Sequence, residues 1–396
     1  MKFDIFLSIC QTEVDGHLPS EKVMLHNFFD QVRLADDLGF ETAWVAETHL
    51  STETQKKTSQ PVIPHFSGEI GLNTDILQLA HKVFAQTRRI HVGSAIRNIL
   101  CNGGPIAHAE AIRTFLALHS LDENESRRLN IGFASGRFEF SNRPYGIFPR
   151  SELERAAWPV VKNKVLHEAA EIFLRLLKAE EVSSKDLKPQ ILRPEDFRSP
   201  EQWEEALKAA GLSAQTQQIE LSPRWEFEVL SVIPKETSLT LLDLTLGSHD
   251  PVLQKAVNQH LPVGVFNLSI TPPEVIEQTH RRMQEHYHPD GGPWQRHYMP
   301  RTAMIFLEDS VDQARHAAER AWENYWKAME GTLDPQKIAQ AVGNSIYGDA
   351  QVVTEQILEK YHPDDRLMLW FDFNNHDNEA VKKSMSQFFE KVVPAL

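Results

Sequence analysis

The sequence predicts an α/β fold: a parallel (β/α)8 TIM barrel, with a doubly wound open sheet as second choice. Three features of the chain point there. Short apolar runs and amphipathic helical patterns alternate from one end to the other. The apolar runs are nearly continuous, as in strands buried on both faces of a parallel sheet. The stretch from Leu38 to Leu50 ends a helix at Gly39, passes through a short buried strand, and finishes in Glu47 and His49. Both side chains can move protons, and the loops after the strands are where such a barrel places its chemistry.

Taken in order, residues 2–9 read as strand one, since Phe3, Ile5, Phe6, Leu7 and Ile9 leave few polar positions. Residues 21–38 repeat apolar side chains at Leu25, Phe28, Val32, Ala35 and Leu38, a helical spacing stopped by Gly39. Residues 44–46 form strand two. Residues 51–71 are polar and broken by Pro61, Pro64 and Gly68, a loop long enough to be functional. Asn73 or Thr74 is the expected cap of the helix running through Leu77, Ala80, Val83 and Phe84. Strand three is 90–96, followed by a Gly103-Gly104-Pro105 turn and a helix over 106–119; strand four is 129–134, leading into Ser135-Gly136-Arg137. A helix over 160–178 precedes an insertion, 179–224, charged and rich in proline, with one helical piece at 203–210. Its low apolar density suits packing on the barrel's outside or over its mouth better than independent folding, so 1–396 is read as one domain. The strand pattern resumes at 239–246 and ends in Gly247-Ser248-His249-Asp250, with helices expected at 251–259 and 272–287 around a strand at 263–270. After a loop over 286–300 come a strand at 303–307 and a helix over 311–329. A lid-like segment follows at 330–348, then a helix over 349–361, a strand at 367–373 and a closing helix over 380–393.

Composition narrows the function. Of 396 residues, 41% are hydrophobic and 24% charged, ordinary for a globular enzyme, and the formal charge of −14 argues against a nucleic-acid partner. Cys10 and Cys101 are too few for a disulfide framework, no apolar run spans a bilayer, and the start enters a strand pattern at once; a cytoplasmic protein is expected. The spacing of His286, His288 and His297, in a Pro/Gly loop without cysteine, does not lead us to expect a metal. No G-x-G-x-x-G follows a strand pattern, so no built-in nicotinamide domain is expected.

Five stretches in order carry a family resemblance: the opening strand with Leu38-Gly39-Phe40-Glu41-Thr42-Ala43-Trp44-Val45-Ala46-Glu47-Thr48-His49-Leu50; Gly104-Pro105-Ile106-Ala107-His108-Ala109-Glu110; residues 128–136; residues 348–357; and the closing residues 367–373 with Val393-Pro394-Ala395-Leu396. The chain resembles the bacterial luciferase-like flavin-dependent monooxygenases over nearly its whole length, apart from the insertion. The resemblance implies a barrel of the bacterial luciferase type. It also implies an enzyme that takes reduced FMN from a separate flavin reductase, traps O2 as a flavin C4a-peroxide, and oxygenates an aldehyde, ketone or other small organic substrate, possibly in specialised metabolism. A homodimer, or a luciferase-like heterodimer, is implied as well. Two alternatives stand beside it: a deazaflavin (F420)-dependent oxidoreductase of the same superfamily, and a non-catalytic flavin-binding or partner subunit.

The resemblance also places the site. The catalytic group implied is His49 with Thr48 and Glu47: Thr48 stands where luciferases carry the first histidine, His49 matches the second, and Glu47 orients them. Either His49 moves the proton or Thr48 donates a hydrogen bond; a histidine that merely packs below the pocket is the plainer reading. Ser94 and Ala95 are expected beneath the flavin ring, Ala134 replaces the luciferase cysteine beside it, and Ser135-Gly136 let the backbone come close. For the phosphate, Gly247 and Ser248 offer N–H groups and a hydroxyl before a helix, with Lys164 supplying charge and Arg137 or Arg155 as substitutes. The plainer reading of Gly247-Ser248 is an ordinary helix cap. Specificity is expected from the 51–71 loop, the 286–300 loop and the insertion.

Overall fold

The computed structural model describes residues 1–396. Nine parallel strands form one sheet: β1 (Lys2–Leu7), β2 (Thr42–Val45), β3 (His91–Asn98), β4 (Leu129–Ala134), β5 (Leu242–Leu246), β6 (Gly264–Val265), β7 (Arg301–Leu307), β8 (Ile346–Gly348) and β9 (Arg366–Trp370), in the order β8-β7-β9-β1-β2-β3-β4-β5-β6. The sheet is strongly curled. Trp44 of β2 and Phe266, just past β6, lie four strand steps apart, roughly 19 Å in a flat sheet. Their ring centroids are 5.5 Å apart. Beyond β6, Asn267 bridges Arg301 in parallel: its N–H donates to the Pro300 carbonyl at 3.0 Å, and its own carbonyl accepts from Thr302 N–H at 2.9 Å.

The period-two alternation of each strand sorts side chains into two layers. On β1, Phe3, Ile5 and Leu7 join the main core of 66 buried residues under the helices, whereas Phe6 turns inward with Trp44, Ala95, Phe266 and Met368 into a small inner cluster. A Cβ on Gly93 would lie 2.5 Å from the Trp44 ring, so glycine is what leaves room for the indole against β3. Local signals hold the outer helices. The helix Glu21–Leu38 is capped by Ser20, whose hydroxyl accepts from Val23 N–H, and stops at Gly39, whose φ of +104° suits a residue without Cβ.

Several expectations need correction. The helix Ile76–Phe84 is capped by Asp75 and not by Asn73 or Thr74, because the Asp75 carboxylate reaches both Leu77 and Gln78 N–H. The strand expected over 263–270 is ladder-paired only at β6, since Asn267 diverts to β7. The lid-like segment holds a helix, Pro335–Gly343, and the strand β8, paired with β7. The insertion, by contrast, takes the first of its two expected places, on the outside: Trp203, Ala206 and Leu207 of its helix Pro200–Ala209 belong to the main core. The 286–300 loop joins a helix end to the start of β7, so it lies at the opposite end of the sheet from His49 and faces no strand exit.

Candidate functional site

Glu47, Thr48 and His49 follow β2 at the C-terminal rim of the sheet, and each is tied down differently. The Glu47 side chain is 1% exposed and accepts from Arg97 (3.2 Å) and from Ile76 N–H (3.3 Å) at a helix N-terminus. Arg97 in turn donates through Nε to His108 Nδ1 at 2.8 Å, while His108 Nε2 donates to the Cys101 carbonyl at 3.0 Å. Burial, aided by the Arg97 charge, pushes His108 down to about 3, so it stays neutral and can accept. Thr48 donates its hydroxyl to the Gly71 carbonyl at 2.9 Å, inside the loop after β2. His49 is the adjustable member: its Nε2 lies 3.4 Å from Glu47 Oε1, and Asn102 Nδ2 lies 3.1 Å from both ring nitrogens. Leu50 (φ +65°) and Asn102 (φ +52°) both hold left-handed backbone, which asparagine adopts readily and leucine rarely.

The neighbouring exits converge on the same rim. Ile96, Ala134 and Gly247 meet at the exits of neighbouring strands: a Cβ on Gly247 would fall 2.5 Å from Ile96 Cδ1 and 3.3 Å from Ala134 Cβ. Asn142 donates to the Ser135 carbonyl and accepts from Asn98, and a Cβ on Gly136 (φ +68°) would strike the Asn98 amide. Ser94 stands apart. It is in register with Val45 and Ile131, both in the helix-facing core, so its hydroxyl faces the helices, buried and without a partner, while Ala95 beside it faces the bore.

Ser248 also turns away from the bore. Its hydroxyl accepts from Asp250 N–H at 3.2 Å, and Asp250 itself caps the helix Pro251–Val257 through Val252 and Leu253 N–H. Asp250 also accepts from His167 Nε2 (2.9 Å) and Asn163 (2.7 Å), and these hydrogen bonds outweigh burial and hold its carboxyl far below the usual range. A carboxylate therefore occupies the helix end where a phosphate was expected, and two anions there repel. Of the three candidate cations, Lys164 pairs with Asp196 of the insertion at 2.8 Å and Arg155 pairs with Glu152. Arg137 is left with no hydrogen bond or ion pair among its contacts; its guanidinium lies 5.1 Å from the Phe138 ring and close enough to Tyr325 to moderate the rise that burial gives that phenol.

The rim is roofed. Ile63 and Phe66 of the loop after β2 pack with Ala328 and Met329 of the helix Val311–Met329 and Ile338 of the next helix, and Cys10, Phe138 and Tyr325 border them. These residues follow the exits of β1, β2, β4 and β7, so the cluster lies over part of the rim. Both thiols are pushed up to about 12 by burial, so neither supplies a thiolate. Sequence reasoning missed Arg97, Asn102 and His108 as the frame around Glu47 and His49. No local spacing announces a contact across 53 residues.

The family model described as luciferase-like monooxygenase matches residues 1–197. No curated protein sequence matches. Among solved structures, monooxygenase RslO1 from Streptomyces bottropensis aligns at 16% identity over 100% of this chain and 99% of its own, with a TM-score of 0.69. The oxygenating constituent of 3,6-diketocamphane monooxygenase from Pseudomonas putida, in complex with FMN, aligns at 13% identity over 100% and 99%, with a TM-score of 0.59. An F420-dependent secondary alcohol dehydrogenase aligns at 12% identity over 100% and 99%, with a TM-score of 0.56. At such identities the likeness concerns the fold. No helix is long and apolar enough to cross a membrane.

Proposed function

We propose, from the premise that residues 1–197 make this chain a luciferase-like monooxygenase, that it is an FMN-dependent, two-component monooxygenase acting on a small aldehyde, ketone or comparable organic substrate. In this reading β1 to β7 and β9 close an eight-strand barrel through the Asn267 bridge, with β8 flanking it. The observation that carries the reading is the gathering, on one roofed rim, of His49 held by Asn102, the small-residue exits of β3, β4 and β5, and an unpaired Arg137.

The residues fit a flat ring with an anionic tail on one condition: the phosphate goes to Arg137 and not to Ser248, where Asp250 already sits. Reduced flavin, when bound, supplies the electrons and the position at which O2 is activated. Ala95, Ala134 and Gly247 would leave room for the ring, Ser135 and Gly136 would present backbone to it, and the cluster of Phe66, Tyr325 and Met329 would shield it from water. His49 holds or delivers the proton, and Asn102 sets its orientation. Glu47 positions His49 and does no more, because Arg97 and the Ile76 amide already engage its carboxylate. A separate reductase supplies reduced FMN, and the working unit is a homodimer in the cytoplasm.

Mixing the protein with photoreduced FMN, O2 and a panel of aldehydes and ketones tests this. Incorporation of one atom of 18O2 into product, lost in His49→Ala, is the expected result. Turnover with reduced F420 alone moves the chain to the hydride-transferring reading, and flavin binding without product moves it to a partner subunit.

A further inference from the structure

A cavity of about 700 Å3 lies at the end of the sheet away from His49, opening among the strand starts at Lys2, Glu41, His91 and Arg128. The inner cluster of Phe6, Trp44, Ala95, Phe266 and Met368 plugs the bore between this cavity and the roofed rim. We propose that the cavity is a second binding site, for an uncharged, flat molecule with a lactam or carboxamide edge.

Two buried side chains ask for such an edge. Asn130, 3% exposed, and Thr245, 7% exposed, line the cavity, with Asn130 Nδ2 and Thr245 Oγ1 out of contact with water and without partners. Both face inward because their neighbours Leu129, Ile131, Leu244 and Leu246 belong to the helix-facing core. Buried polar groups in folded proteins are nearly always hydrogen-bonded, so two orphans just behind the wall of an open cavity mark where a small side-chain rotation would meet a missing partner. A carboxamide offers a donor beside an acceptor, which a lactam edge matches with an acceptor beside a donor. His91 adds a further donor: its Nδ1 accepts from Arg128 N–H at 2.9 Å, so in the neutral ring Nε2 carries the proton. The Trp44, Tyr287 and Tyr298 side chains supply flat apolar walls.

Charge selects against an ionic ligand. Lys2 pairs with Glu41 at 3.1 Å, Arg366 with Glu41 at 2.6 Å and with Asp4 at 3.3 Å, and Arg128 with Asp243 at 2.6 Å. These three cations are already matched by three carboxylates, and the lining also holds Asp290, so an anion entering must break a pair and face a further carboxylate, whereas a neutral molecule leaves the pairs intact.

Titration calorimetry with 2-pyridone as the neutral lactam and benzoate as an anion of similar size, on the full chain, tests the site. We expect saturable 2-pyridone binding, benzoate at least about tenfold weaker, and a loss of roughly five- to tenfold in Thr245→Val, the size of one hydrogen bond. Asn130→Leu removes the edge and should abolish binding. If that variant fails to fold, the nearly isosteric Thr245→Val decides, and a crystal soak shows whether the lactam edge lies against Asn130 and Thr245. Absence of saturable binding, equal affinity in Thr245→Val, or a soaked lactam that lies away from Asn130 and Thr245 overturns the proposal. FMN binding in these variants is expected to match the parent, so failure here is distinct from failure of the oxygenase reading.

Discussion

Asp372 offers the sharpest stability experiment. It follows Met368 and Trp370 in the inward alternation of β9; burial pushes its carboxyl up to about 7, and the Trp370 indole offsets this only in part. Its Oδ1 is out of contact with water and has no partner. A carboxyl whose folded pKa lies above its unfolded value stabilises the fold while protonated, fully so below the unfolded pKa, and that contribution is lost as pH rises through the folded pKa. Taking about 7 folded against the ordinary 3.8, the linkage relation gives a loss of roughly 2–3 kcal/mol between pH 5 and pH 8. Asp372→Asn keeps the shape and cannot titrate. Urea unfolding of parent and variant at both pH values isolates this group, because every other titration cancels in the difference. The variant should gain on the parent by that amount on going to pH 8. A difference that is flat with pH, or of opposite sign, refutes the desolvation argument.

Three further outcomes concern the rim and the sheet beneath it. His49→Ala should lower turnover by roughly 10² or more with FMN affinity nearly unchanged, since general acid–base groups contribute on that scale; unchanged steady-state kinetics reduce His49 to a packing residue. Arg137→Ala should weaken FMN binding by about 1.5–3 kcal/mol, the worth of a hydrogen bond to a charged group, and Ser248→Ala should leave the fluorescence titration where it was. The reverse pattern returns the phosphate to Ser248. Gly93→Ala places a methyl against the Trp44 ring and should destabilise by roughly 1–3 kcal/mol in urea unfolding, as overpacking does; a neutral result means the indole moves freely.

The fold was largely legible because it rests on short-range patterns. Near-continuous apolar runs, the Gly39 stop and the Ser20 cap each act within a few residues, and the eight expected strands all appear in the sheet. The strand missed, β8, spans Ile346–Gly348, three residues without periodicity, and forms only because β7 offers an open edge. The candidate site was legible in part. The position of Glu47 and His49 at a strand exit followed from local order, as did the small residues Ala134, Ser135 and Gly136. Which face Ser94 presents did not, since one residue of register decides it. Nor did the pairing of Lys164 with Asp196, or the presence of Asp250 at the helix end beside Ser248.

By itself the chain's order of residues determined the alternation of strand and helix and the rim on which His49 lies, because periodicity and stop signals need no distant partner. Only the folded arrangement decided which cation stayed free, which hydroxyls faced the bore, and that a cavity with two unsatisfied polar groups opens at the far end. Those outcomes depend on contacts between residues dozens of positions apart, brought together by the curl of the sheet, and no local pattern encodes them.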